Sequence, residues 1–163
     1  MTSAMATPVS SPNFLARRPN MDLAGQLRTL QAAQGKPAML ALATVDLKYP
    51  ELPEAARATL KASLEAAAIP HWCDETILSA LLAISPQESA ARLAQLRGLT
   101  VVEPFRARGS TAINVHEAAR LALRKALASQ RAGLFRTLST RAETHPSFSP
   151  LPTSASATRP TTR

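Results

Sequence analysis

One cysteine, one tryptophan and one tyrosine in 163 residues leave this chain short of the groups that build most small catalytic or metal-bound domains. A single thiol, Cys73, excludes an intramolecular disulfide and a multi-cysteine zinc site, and it fits a reducing, cytoplasmic setting. No run approaches the ~20 apolar residues of a membrane span, so no membrane partner is expected. The aromatic share is 4% against a hydrophobic share of 45%, much of it alanine, so each residue buries modest area. The length suits one ordinary domain with tails.

Acidic residues are also scarce, and the net charge of +8 raises the question of nucleic acid. Its distribution argues against a strongly basic domain. Between Pro53 and Gln130 nine basic residues meet seven acidic ones, a balance of +2. The remainder sits mainly in the ends, at Arg17, Arg18, Arg131, Arg136, Arg141, Arg159 and Arg163.

Residues 1–20 and 145–163 mix Ser, Thr, Pro and Ala without periodicity, and both are expected to be disordered tails. Residues 21–50 read as a short helical lead-in. Met21 to Gln34 carries Leu23, Leu27 and Leu30 at helical spacing, Gly35-Lys36-Pro37 breaks it, and Met39 to Leu47 places Leu40, Ala43 and Leu47 on one face.

Residues 51–131 hold the stronger signals. Pro53 and Glu54 suit the first turn of a helix that runs to about Ala68 with Leu60 and Leu64 inward. Asp74 can cap a second helix that buries Ile77, Leu78, Leu81 and Leu82. Ser85, Pro86 and Glu88 make a capping box for a third, whose face is Ala90, Leu93 and Leu96 and whose end is Gly98. The period then turns from helical to extended: Thr100 to Phe105 and Thr111 to Val115 read as short strands around the turn Arg106 to Gly109. Pro104 cannot donate to a ladder and belongs at an edge or bulge. Asn114 and Glu117 open a last helix, with Ala118, Ala119, Ala122, Leu123, Ala126 and Leu127 as its face. The expected fold is therefore mainly α, a winged helix-turn-helix with three helices, a β-hairpin wing and a packing helix. Residues 132–144 begin a further helix.

The run Leu93-Ala94-Gln95-Leu96-Arg97-Gly98-Leu99-Thr100-Val101-Val102-Glu103-Pro104, then Arg108-Gly109 and Asn114-Val115-His116-Glu117-Ala118-Ala119-Arg120, resembles the winged-helix domain of STAND-class signal-transduction ATPases. Pro70-His71-Trp72 and Leu138 to Ala142 extend the resemblance across about residues 36–142. In that family a Met-His-Asp motif, approximated here by Val115-His116-Glu117, supplies a histidine to the phosphates of bound ADP. The resemblance thus implies an ADP contact by His116, made together with a nucleotide-binding partner domain. The plainer alternative is that His116 caps a helix or fills a half-buried corner.

The P-loop of such ATPases is missing. Gly35-Lys36 runs into Pro37 and lacks the first glycine of G-x-x-x-x-G-K-[ST], so no cofactor of the chain's own is expected. The resemblance implies a regulatory piece detached from a larger protein. Cys73 lies near His71, but Asp74 reads as a helix cap rather than an orienting group, and no catalytic residue is expected. His71, His116 and His145 are too scattered for a metal site. Trp72 reads as a core anchor against the first two helices. Two functions remain: a non-catalytic protein-interaction module, or a DNA-binding regulator using Arg92 and Arg97 of the third helix and Arg106 and Arg108 of the wing. The near-neutral domain favours the first.

Overall fold

A computed structural model describes residues 23–148, and the tail readings for residues 1–20 and 149–163 lie outside them. Within the described residues seven helices and one small antiparallel sheet follow in the order α1 (Leu23–Ala33), α2 (Pro37–Lys48), α3 (Glu54–Ala67), α4 (Glu75–Leu82), α5 (Pro86–Leu96), β1 (Val102–Pro104), β2 (Ile113–Val115), α6 (Glu117–Gln130) and α7 (Ala132–Thr144). The protein is mainly helical.

Local chemistry sets the helix ends. The Asp74 carboxylate accepts from the backbone N–H of Thr76 and Ile77 at 3.0 and 2.9 Å, which satisfies two of the free donors at the start of α4. Ser85 Oγ accepts from Glu88 N–H at 3.2 Å and starts α5, with Pro86 in its first turn. Pro37 starts α2 two residues before Met39, because its fixed φ suits a first helical turn. Helix α5 ends one residue before the expected Gly98 cap, at Arg97 in right-handed conformation, whereas α4 ends in a left-handed residue, Ala83, where φ is +54°. Gly98 has a different reason to be small: a Cβ there would lie 2.7 Å from Tyr49 Oη. That hydroxyl donates to the Gln95 carbonyl at 2.6 Å and ties the end of α2 to α5.

The core gathers Leu60 and Leu64 of α3, Ile77, Leu78 and Leu81 of α4, Leu93 and Leu96 of α5, and Leu123 and Leu127 of α6. Three expected faces shift by a position. Leu82 is only half-buried, and Ser89 rather than Ala90 is enclosed on α5 because its hydroxyl donates to the Glu75 carbonyl at 2.6 Å. Ala118 is exposed, since the buried side of α6 centres on Leu123 and Leu127. Helix α7 also contributes Leu138 and Ala142 to the core.

The lead-in departs further from its pattern. Leu23, Leu27 and Leu30 are exposed, and α1 lays its narrower side, with Ala33 buried and Gly25 and Thr29 half-buried, toward the body. Small side chains let two helix axes approach more closely than a leucine row would. On α2 the covered residues are Ala41, Ala43 and Val45, while Leu40 is exposed and Leu47 half-buried.

The sheet pairs Val102 with Val115, Glu103 with Asn114 and Pro104 with Ile113. It is shorter than the expected strands, because the Val102 N–H donates to the Leu99 carbonyl and keeps Thr100 and Val101 in a turn; residues 106–108 form a 3-10 turn within the expected loop, closing at Gly109, φ +109°. Phe105 N–H donates to Ala112 and His116 N–H to Val101, so odd-numbered residues of β1 face β2 and the missing N–H of Pro104 points outward. The edge placement expected for that proline holds. The backbone of Ile113, turned away from β1, exchanges a pair of hydrogen bonds with Cys73 at 2.9 and 2.8 Å. The connector between α3 and α4 thereby becomes a one-residue third rung.

Candidate functional site

The residues singled out from the sequence fall into two places. His116 stands at the junction of β2 and α6, half-exposed, and its side chain makes no capping bond. Its Nδ1 lies 3.9 Å from a Glu103 carboxylate oxygen across the hairpin. Glu103 also accepts from Asn114 Nδ2 at 3.3 Å, and Glu117 in the first turn of α6 is bidentate with Arg120 at 2.8 to 3.0 Å. The open end of α6 attracts anions through its free N–H groups, but two carboxylates already occupy that space. His116 alone therefore does not form a phosphate cradle. A nucleotide would need cations from another domain to offset Glu103 and Glu117.

Of the four arginines of the DNA reading, on α5, at its end and in the hairpin loop, three are engaged within the fold. Arg92 reaches inward to Ser63 Oγ at 3.3 Å and pairs with Glu88. Arg97 donates to the Ser110 carbonyl at 3.1 Å, holding the hairpin loop to the end of α5. The Arg108 guanidinium lies over the Trp72 ring, 5.2 Å from its centroid. Only Arg106 is without such a contact among the described residues. The exposed positions of α5 read Pro86, Gln87, Glu88, Ala91 and Ala94, which offer little to a base edge or a phosphate.

Trp72 is buried, as its size demands, but its ring neighbours are the hairpin loop and the C-terminal turn rather than the first two helices. It stacks on Phe105 at 6.4 Å and meets Phe148 at 5.4 Å. That second contact corrects the tail boundary: the chain stays ordered past His145, because burying Phe148 on the indole favours the turn.

Cys73 is enclosed beneath the sheet, and burial, reinforced by the Asp74 charge, pushes its thiol far above the usual range. The thiolate a nucleophile needs is thus suppressed. Asp74 caps α4, as expected. Among the described residues no three His, Cys, Asp or Glu side chains gather to hold a metal ion. No described helix is long and apolar enough to cross a membrane.

Sequence reasoning missed the arginines that clamp the α6–α7 pair to the rest. Arg124 donates to the Ile69 carbonyl past the end of α3, Arg131 pairs with the buried Glu65, and Arg141 donates to the Leu81 carbonyl of α4 at 2.7 Å. Each partner is 55 to 66 residues away, so no local pattern announces it. Two hollows flanking α2 were also missed. One, of about 350 Å³, lies between its start and α6, and the other, of about 300 Å³, lies between α1, α2 and α3.

Comparison with protein-family models, curated proteins and solved structures returns no match to this chain.

Proposed function

We propose that this chain is a non-catalytic regulatory module with a winged-helix body, which works by contacting a protein partner or an adjoining nucleotide-binding domain, as its resemblance to STAND-class ATPases implies. The order of elements supports the winged-helix reading. Three helices, α3 to α5, precede a hairpin, and the Cys73–Ile113 rung adds the short strand that such folds carry between their first two helices.

The observation that carries the interaction reading is the engagement of Arg92, Arg97 and Arg108 within the fold. A DNA-reading helix and wing keep their cations free for phosphates and base edges, and these three serve Ser63, Ser110 and Trp72. The inert, buried Cys73 supports the absence of nucleophilic chemistry. In this reading His116 reaches ADP only when a partner domain brings the nucleotide and its neutralising cations.

Duplex DNA tests the reading directly. The full chain with Arg17, Arg18, Arg159 and Arg163 changed to serine is titrated into labelled duplex at several salt concentrations. Binding should be weak, and adding Arg106→Ala and Arg108→Ala should change it little. A steep salt dependence that those two wing substitutions flatten by about two phosphate contacts would establish the DNA reading instead.

A further inference from the structure

Five of the seven large hydrophobic residues exposed among the described residues belong to α1 and α2, and one of them, Met39, lines both hollows beside α2. In the first hollow the floor is Ala38, Met39, Ala122 and Ala126, and Lys36 and Lys125 stand on its rim. In the second the floor continues through Ala32, Leu42 and Ala43. The two meet at Met39. Together they form one trough running from the flank of α6, over the start of α2, to α1.

Asp46 and Lys61 line the second hollow as an ion pair, so the unpaired charge along the trough has one sign. Lys36 and Lys125 are exposed and pair with no described carboxylate. Arg28, four residues before Ala32 and so on the same side of α1, is likewise exposed and unpaired among the described residues. The one carboxylate nearby, Asp46, is already held by Lys61 at 2.7 Å and Arg57 at 3.5 Å. An apolar floor with free cations on its rim fits an occupant that is apolar on one side and acidic at its edges. A second copy meeting it trough to trough would bring the same cations and be repelled. Nucleic acid would leave the alanine and methionine floor uncovered.

We propose that this trough docks an acidic amphipathic helix of a partner protein, its apolar stripe over Met39, Ala122 and Ala126 and its Asp or Glu side chains against Lys36, Lys125 and Arg28. Methionine suits such a floor, because its unbranched thioether adapts to the shape laid on it. Helix-in-groove docking of this kind takes its affinity from the apolar anchors and its orientation from the flanking charges. The proposal rests on the interaction-module reading and names the partner's chemistry and place.

The probe is a labelled 18-residue peptide of Leu, Ala and Glu, with leucines at i, i+3, i+4 and i+7, titrated into the full chain by fluorescence anisotropy. A matching peptide with Lys for Glu, a labelled DNA duplex and vesicles of anionic phospholipid form the other arms. The Glu peptide should bind, Met39→Asp should weaken it at least tenfold, and the double change Lys36→Glu with Lys125→Glu should do the same while allowing the Lys peptide to bind. All three positions are exposed, so circular dichroism should find the variants folded. Equal binding of both peptides to the unaltered chain, or Glu-peptide binding untouched by either variant, overturns the trough and leaves the interaction-module reading standing. Absence of peptide binding, with duplex or vesicles held through Lys36 and Lys125, overturns the trough as a protein site. Duplex binding that depends on Arg106 and Arg108 instead removes the interaction reading itself.

Discussion

In α4, Ile77, Leu78 and Leu81 are completely enclosed, whereas in α1 the equally regular Leu23, Leu27 and Leu30 are 72, 50 and 39% exposed. The two helices advertise an apolar stripe in the same way and dispose of it in opposite ways. What separates them is the neighbour. Helix α4 is capped by Asp74, packed on α3, α5 and α7, and stitched to α5 by the Ser89 hydroxyl. Helix α1 has a single principal neighbour, α2, and meets it through small residues. Periodicity reports that a helix has two kinds of face. It does not report which face finds a partner.

That contrast can be broken most sharply by truncating one leucine in each helix. Leu78→Ala should cost about 2–5 kcal/mol of unfolding free energy, because it opens a cavity where relaxation is hindered, while Leu27→Ala should cost under about 0.5 kcal/mol. Urea denaturation of both variants measures the gap. Equal costs would mean that α1 is covered in solution and that its packing differs from that described.

The link between the two regions is the Tyr49 hydroxyl beside Gly98. Gly98→Ala should displace it and lose its bond to Gln95, for a net loss of about 1 kcal/mol once the stiffer unfolded chain is allowed for. Tyr49→Phe should reproduce most of that loss in the same thermal melt, and Gly98→Ala should then add little to it.

Alkaline pH should loosen both regions in order. Burial raises the Cys73 thiol above its unfolded value, so its contribution is intact below about pH 8.5 and declines as pH rises from there. The Tyr49 phenol, raised by burial and then by Glu51, adds a further decline from about pH 10. Chemical denaturation across pH 7 to 10.5 should follow this slope, and Cys73→Ala should flatten its first part.

The smallest effect concerns the end of α4. Ala83 occupies a left-handed conformation that favours glycine, so Ala83→Gly should stabilise the body by up to about 1 kcal/mol, visible as a small rise in Tm. A loss of stability there would show that φ +54° is not what holds the α4–α5 turn.

Much of the body was legible because its signals are local. Asp74 and Ser85 cap the helices they were expected to cap, and the change of period after Gly98 marks a hairpin with Pro104 at its edge. The α2 start was misplaced by two residues, because Pro37 reads equally as a break and as a first helical turn. The covered flank of α1 was not legible, since leucine spacing carries more weight in a pattern than the Gly25, Thr29 and Ala33 line that makes contact. Of the candidate site, the sequence placed His116 and the four arginines at the right elements. It could not show that Arg92, Arg97 and Arg108 turn toward partners 13 to 36 residues away, nor that Met39 floors two hollows formed by four helices. Such facts depend on which helices become neighbours, and that is settled by packing rather than by propensity.

Ile113 stands between two neighbours: it lies opposite Pro104 in the register of the hairpin, and both its backbone N–H and its carbonyl bond to Cys73 in the link that precedes α4. A flap joined only at its root can swing; one riveted at midspan cannot. Force applied at the loop near Arg106 is therefore delivered past the hairpin into the segment that carries Trp72, Cys73 and the Asp74 cap. Whatever grips the tip of the hairpin also pulls on the helix start buried behind it.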